Sequence, residues 1–481
     1  MRRTASGAPG DFVQPLSEAL VERPRQAVAL RRAGHAGSAV SGRTEGAPPV
    51  KRTSRDIRTA NRYGVLRQII ARSPTSRQEL AAATGLSLAT VATLVGELLD
   101  LGMLTEVGFE DSAGGRPRGL VAVNASGGAL IGVDIAETYV RVELFDLALN
   151  VLARAREGMC PGGTLPEQVV GHVVSAVGSV VTQAGVEGAR VLGVGVSVPG
   201  QVDRETGTSE YAPNWDWHDV PLLDLLAEHI AYPLHLDNPL RACAVAELWF
   251  GAARGRGDAV VVNLGTGVGA GLVLGGGLHR GVSNSAGEWG HTTLVLDGRP
   301  CHCGDRGCVE TYAGAPGIML NLRELSPDSP LLHPEDQTAT IDALARAVAA
   351  GDPVAVQAVR DTARYLGAAI ANLVNLLDPE VVVLSSWVAA ALGEPLLREV
   401  REAVARHALK RPLAGTEIVL SPIPTDPVCL GAATFALEGA LSSAVRGPAA
   451  GGPAARRAAP AARTASAPRT DPARSRTAPP A

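Results

Sequence analysis

Four residues close together in the chain have types suited to holding a metal: His291, Cys301, Cys303 and Cys308. Three thiolates and one imidazole make the ligand set of a tetrahedral Zn2+. Gly304 and Gly307 permit the sharp turn that brings Cys308 back toward Cys301 and Cys303. Four protein ligands leave no open position, so the implied zinc is structural rather than hydrolytic. His302 is set aside, because a Cys-His-Cys run cannot easily point three consecutive side chains at one ion. The chain has 6 cysteines, and this crowding of three of them argues for metal rather than a disulfide framework.

A second set of residues could meet phosphate. Gly265-Thr266-Gly267-Val268-Gly269-Ala270-Gly271 follows the apolar run Val260 to Leu264. A glycine-rich turn after a strand can offer backbone N–H groups to an anion, although such a turn also simply joins strands.

A third set could read DNA. Ser76 and Glu79 form a capping box that starts a helix ending near Gly85. Ser87 then caps another helix running to about Leu101, with Val91, Leu94, Val95, Leu98 and Leu99 on its buried face. Ser87, Ala89, Thr90 and Thr93 fall on the outer face near its N-terminus, where small side chains allow close approach to base edges. Leu104 to Val107 and Leu120 to Val123 can pair as a hairpin, tipped by Gly114-Gly115-Arg116-Pro117-Arg118. Arg116 and Arg118 suit a narrow minor groove. Arg77 belongs to a run, Lys51 to Arg77, in which Asp56 is the one acidic charge before the helix begins. The spacing therefore predicts a winged helix-turn-helix for double-stranded DNA.

The elements that must position these groups follow from the apolar pattern. At 481 residues, two or three folded units are expected. Ala129 to Val133, Val191 to Val196 and Val260 to Leu264 read as buried strands, with helical stretches such as 353–377 between them. Strands alternating with helices imply an α/β fold. Residues 1–50 and 446–481 are rich in Ala, Gly, Arg and Pro without a clear period and read as disordered tails. No run of about 18 apolar residues predicts a membrane span, and the N-terminus lacks the apolar core of a secretory signal. A cytoplasmic protein is expected. The net charge of −4 is mild, so it is the local distribution of charge that points to DNA.

Gly287-Glu288-Trp289-Gly290-His291 followed by the Cys301-to-Glu310 segment resembles the signature of the ROK family of sugar kinases and sugar-responsive repressors. Ser197-Val198-Pro199-Gly200, Ala212-Pro213-Asn214-Trp215 and Asp237-Asn238 are similar to its sugar-lobe loops and the start of its acidic motif. The resemblance spans about 55–440 and includes the winged helix of the repressor branch. It implies a two-lobed actin- and hexokinase-like (ribonuclease H-like) domain over 125–445 behind a DNA-binding domain over 51–124. It also implies sugar-hydroxyl contacts at Asn214, Asn238, Glu288, His291 and Glu310. The implied partners are a palindromic operator, a sugar or sugar-phosphate effector, and a second copy of the chain in a homodimer or homotetramer.

Three departures from the family pattern argue against kinase activity. Pro239 stands where the catalytic aspartate is expected, and proline cannot accept a proton. The first phosphate loop reads Asp134-Ile135-Ala136-Glu137-Thr138, with a methyl at 136 and a negative charge at 137. Val381 to Leu384 lead into Ser385-Ser386-Trp387 instead of a glycine pair. The expectation is a regulator with no catalytic residue; the alternative is an ATP-dependent sugar kinase carrying a DNA-binding appendage.

Overall fold

The computed structural model describes residues 54–110, 117–159, 165–424 and 426–446. The tails expected over 1–50 and 446–481 fall outside these residues apart from Arg446, and Arg116 at the wing tip also lies outside them.

The N-terminal part is a winged helix. Helix α1 (Ser54–Ala71) leads through β1 (Thr75–Ser76) into α2 (Arg77–Thr84) and α3 (Leu88–Asp100). Ser76 accepts from the Glu79 N–H while Glu79 accepts from the Ser76 N–H, the predicted capping box. Gly85 takes the left-handed cap and Ser87 caps α3 through the Thr90 N–H. Val91, Leu94, Val95 and Leu98 are buried as expected, whereas Leu99 is half-buried. The hairpin β2 (Leu104–Phe109) and β3 (Gly119–Val123) is longer than the alternation suggested, and β1 joins it in the order β1-β3-β2.

The remainder is built from two five-stranded sheets of the same plan. The first holds β4 (Ala129–Ile135), β5 (Tyr139–Asp146), β6 (Val151–Gly158), β7 (Val191–Ser197) and β11 (Leu234–Asp237). Its order is β11-β7-β4-β5-β6, with β7 and β11 parallel to β4. Helix α4 (Pro166–Ala184) packs on it, and a small ladder of β8 (Gln201–Asp203), β9 (Thr208–Ala212) and β10 (Trp217–Val220) with α5 (Leu222–Ala227) extends it.

Helix α6 (Pro239–Phe250) leads to the second sheet, which holds β12 (Ala259–Leu264), β13 (Val268–Leu274), β14 (Gly277–His279), β15 (Val381–Ser385) and β16 (Glu417–Leu420). Its order is β14-β13-β12-β15-β16, again a hairpin attached to three parallel strands. Around it lie α7 (Glu310–Ala313), α8 (Ala315–Leu325), α9 (Gln337–Ala349), α10 (Pro353–Leu377), α11 (Trp387–His407) and α12 (Lys410–Gly415). The fold is thus a winged helix followed by a two-lobed α/β domain.

Helix α13 (Pro427–Arg446) returns to the first sheet. Its backbone lies so close that a β-carbon at Gly132 would meet the Cys429 carbonyl at 1.9 Å, and one at Gly195 the Ala432 carbonyl at 1.7 Å. Glycine is required at both positions. The core under α6 and α13 is continuous with that of the winged helix: Val65 and Ile69 of α1 belong to one apolar cluster with Trp249 and Leu437.

A buried carboxylate in the first sheet has a measurable consequence. Glu143 of β5 is 2% exposed, pairs across the sheet with Arg154 at 3.1 Å, and leaves Oε2 without a partner. Burial, aided by Asp426, raises its pKa from 4.5 to about 6. A raised carboxyl contributes stability that is full below the unfolded value and is lost as pH rises through the folded one. Glu143→Gln is expected to remove a stability decline of about 2 kcal/mol between about pH 4 and pH 7. Urea titrations of both proteins at the two ends check this; parallel declines would contradict it.

Candidate functional site

The two lobes enclose a cleft of about 350 Å³. Its walls come from the ends of β4, β7, β11 and β12 and the N-termini of α6 and α11. Strand ends and helix starts converge there because each parallel strand hands the chain to a helix behind the sheet.

The structure gathers the predicted metal set. One ligand atom each from His291, Cys301, Cys303 and Cys308 lies within 4.8 Å of the others. Cys303 Sγ and Cys308 Sγ are 3.7 Å apart, and Cys301 Sγ is 3.6 Å from His291 Nδ1. These edges suit a tetrahedron with Zn–S arms of about 2.3 Å, whose corners are ~3.8 Å apart. Burial and neighbouring sulfurs push the Cys301 and Cys308 thiols up, so a cation is what would make this set of donors thiolates. Gly304 and Gly307 take the left-handed conformations that the turn needs.

The five predicted sugar contacts, Asn214, Asn238, Glu288, His291 and Glu310, all line the cleft. His291 turns Nδ1 toward the cysteines, leaving its other ring nitrogen for a different partner. Burial raises the pKa of Glu288, opposed by Arg241, and its Oε1 is buried with no partner. Glu310 accepts the Val268 N–H through Oε2 at 3.0 Å. Asn238 is the N-cap of α6, accepting from the Arg241 N–H at 3.2 Å and donating to the Gly200 carbonyl at 3.3 Å.

Several partners in the cleft were invisible in the sequence. His302, set aside there, hydrogen-bonds through Nδ1 to Asn214 Oδ1 at 2.8 Å. Asn214 also donates to Glu137 Oε1 at 3.1 Å, and Thr266 lies near the same carboxylate. Burial raises the pKa of Glu137 despite the Asn214 bond. The Tyr139 hydroxyl donates to Asp134, whose carboxyl is held well above its ordinary range by burial and by Asp426. No spacing rule links residues 77 or 88 positions apart, so nothing in the sequence could have paired Asn214 with Glu137 and His302.

Asp237 faces away from chemistry. It is fully buried and ion-paired with Arg204, Arg241 and Arg280. Pro239 occupies the first turn of α6, where its fixed φ suits a helix start.

At the other end, Ala89 and Thr93 of α3 are exposed and Thr90 is half-buried. Ser87 and Thr90 share a hydroxyl–hydroxyl bond and Thr93 donates to the Ala89 carbonyl. Arg77 is tied to Glu106 of the wing at 3.1 Å, and Arg118 lies 3.6 Å from Glu110. Arg58 and Arg62 are both bound to Glu97 of α3, so part of the basic run is spent internally.

A profile of the ROK family matches residues 130–438. The chain belongs to the ROK family. A winged helix-turn-helix DNA-binding profile also matches, over residues 58–105. Xylose repressor of Caldicellulosiruptor bescii is 29% identical over 390 residues, covering 80% of this chain and 97% of that protein. Glucokinase of Streptomyces coelicolor is 32% identical over 326 residues, covering 65% of this chain and 98% of the kinase, and so leaves the winged helix unmatched. The crystal structure of a ROK family transcriptional regulator, a homolog of E. coli MLC, superposes with TM-score 0.66 at 24% identity. It covers 81% of this chain and 98% of its own. The chain thus has the domain plan of the DNA-binding regulators of its family, a winged helix and a sugar-kinase-like domain together. Among the described residues, no single helix is long and apolar enough to cross a membrane.

Proposed function

We propose that this ROK protein is a cytoplasmic, sugar-responsive repressor of carbohydrate genes that has kept the sugar cleft and lost phosphoryl transfer. The observation that carries the reading is the state of the glycine-rich turn. Phosphoryl transfer needs free donors around the γ-phosphate and a base on the sugar hydroxyl. Here the Val268 N–H is held by Glu310, Glu137 sets a carboxyl beside Thr266, and Pro239 stands in place of the base. Trp387 adds bulk on the nucleotide side, where its Nε1 would lie 3.0 Å from a β-carbon on Gly265.

In this reading Asn214, Asn238, Glu288 and Glu310 take sugar hydroxyls, because carboxylates and amides can bond both partners of a vicinal diol. The zinc is structural. It is held by His291, Cys301, Cys303 and Cys308 and keeps the imidazole turned so that the second ring nitrogen can meet a hydroxyl. Ligand-driven closure of the lobes is passed to the winged helices of a homodimer or homotetramer and alters the half-site spacing they can span on a palindromic operator. Arg77, Arg116, Arg118, Ser87, Ala89, Thr90 and Thr93 make up the DNA face.

The test uses a DNA fragment that the protein selects from a random pool. A sugar that binds in the cleft is expected to weaken that complex by about 5- to 150-fold, the span of ordinary allosteric coupling. The related repressors are named for xylose, so xylose is tested first. Unchanged DNA affinity at saturating sugar would overturn the repressor reading.

Restoring the missing base alone is not expected to restore catalysis. Pro239→Asp incubated with ATP, magnesium and glucose should give no phosphate transfer above background, since Glu310 still holds the Val268 N–H and Glu137 still sets a carboxyl beside Thr266. Sustained turnover, in the variant or the parent chain, would favour the kinase alternative.

A further inference from the structure

The identity of the effector is open at the level of charge and length, and the cleft bears on both. Four carboxylates line it: Asp134, Glu137, Glu288 and Glu310. Among the described residues, none lining the cleft is a lysine or an arginine. A phosphate brought there would meet four carboxyl groups, with no guanidinium or ammonium on the cleft wall to pair with it. Neutral hydroxyls meet the opposite situation. Glu288 Oε1 is buried without a partner, and a buried acceptor in that state calls for a donor.

The length argument comes from the other end. The cleft does not stop at Asn214 and Glu310 but continues past Thr266 to Ser386 and Trp387. In a kinase that far end would receive a nucleotide. Here Glu137 holds Asn214 and sits beside Thr266, so a carboxyl rather than a phosphate donor floors the middle of the cleft. Trp387 is half-buried at the start of α11 with its indole against the Gly265 turn. An indole edge or face beside carboxylates suits the C–H face and hydroxyl rim of a pyranose, since the ring is amphipathic in the same way. A cleft of about 350 Å³ also lies within the roughly 300–1,000 Å³ of sites that enclose ligands larger than one small ring.

We propose that the former nucleotide end is a second sugar subsite, so that the effector is a neutral, unphosphorylated disaccharide with one ring among Asn214, Glu288, His291 and Glu310 and the other against Trp387 beside Glu137. This inference rests on the sugar-responsive reading above. It makes Trp387 a specificity-determining residue for chain length and Glu137 one for charge.

Calorimetry on the full chain distinguishes the two levels. The probes are glucose, xylose, cellobiose, xylobiose, maltose, glucose 6-phosphate and ATP with magnesium. One disaccharide is expected to bind about tenfold or more tighter than its own monosaccharide, the value of one good aromatic contact with its buried area. Glucose 6-phosphate and ATP are expected to give no heat of binding. Trp387→Ala should reduce the disaccharide advantage to about threefold or less, while Trp387→Phe retains most of it. A monosaccharide that binds as tightly as every disaccharide, or a phosphorylated probe that binds, overturns the second subsite and leaves the sugar-responsive reading standing. Equal loss of both sugars in Trp387→Ala also overturns it. If no saccharide binds, the reading and the inference fall together.

Discussion

Trp249→Ala is expected to break the link between sugar and DNA. Helix α6 begins in the cleft, where Asn238 caps it, and carries Trp249, which is 1% exposed, in its last turn. There the indole meets Tyr63 of α1 edge-on, with ring centroids 4.7 Å apart. Tyr63 lies beside Glu438 of α13, and the neighbouring Arg62 donates to the Leu441 carbonyl at 3.3 Å. Arg62 also holds Glu97 on α3, the proposed recognition helix. Every residue of α6 from Leu240 to Trp249 is buried, so the helix can move only as a unit. A displacement at Asn238 is therefore delivered to α1, and through Arg62 to α3. Removing the indole opens a void at that seam and costs about 3–5 kcal/mol of stability. The sugar-induced loss of DNA affinity should shrink to about threefold or less, against the 5- to 150-fold of intact coupling. Tyr63→Phe keeps the ring contact and is the milder companion, costing about 1 kcal/mol or less. Fluorescence anisotropy of labelled DNA, with and without sugar, reads the coupling. Calorimetry on the same preparations reads sugar affinity, which should stay close to that of the parent chain. Full coupling in a folded Trp249→Ala protein would exclude this route.

The parts of the molecule that were legible in the sequence are those set by local rules. Helix α10 runs Pro353–Leu377 as the pattern predicted, because Asp352 caps it and proline opens it. Asp378 then closes it in a left-handed turn. The runs at 129, 191, 260 and 381 became β4, β7, β12 and β15, because buried parallel strands are apolar on both faces and need no alternation. Ser76, Glu79, Gly85 and Ser87 marked the turn of the DNA-reading segment by cap chemistry alone. The metal set was legible because its three cysteines are close in sequence and its glycines supply the turn.

What was hidden depends on tertiary approach. The three arginines around Asp237 come from a loop, a helix and a second loop. The anchoring of Asn214 by Glu137 and His302 joins three distant segments. Sequence reasoning saw Glu137 as a charge hostile to phosphate but not as the acceptor that holds Asn214. The apolar core shared by α1, α6 and α13 was hidden for the same reason, since it joins residues far apart in the chain.

Cys303→Ser is expected to have the second large effect, and it falls on the sugar rather than on the DNA. Cys303 lines the cleft as well as facing Cys308, so one residue belongs to both the metal set and the wall of the sugar site. A serine hydroxyl is a poor zinc ligand at neutral pH, and a three-ligand remainder holds the ion far more weakly. Bound zinc should fall from one per chain to well below one after dialysis, as metal analysis by mass spectrometry would report. The consequence for the ligand site follows from the chain path. His291 and Cys301 to Cys308 frame the strand-like pairings Thr293 with Cys308 and Pro300 with Arg306, which lead directly into Glu310 at the start of α7. His302 in the same segment holds Asn214. Without the ion, the turn that carries His302 and Glu310 loses its fixed shape, and two sugar contacts lose their alignment together. Sugar affinity is expected to fall by about 10–100-fold, comparable to the loss of a metal site's supporting shell. The apolar cluster that holds the winged helix contains none of the metal-set residues, so sugar-free DNA binding should change far less. A variant that keeps a full zinc complement would remove Cys303 from the ligand set. One that loses zinc yet binds sugar normally would show that the ion does not shape the sugar site.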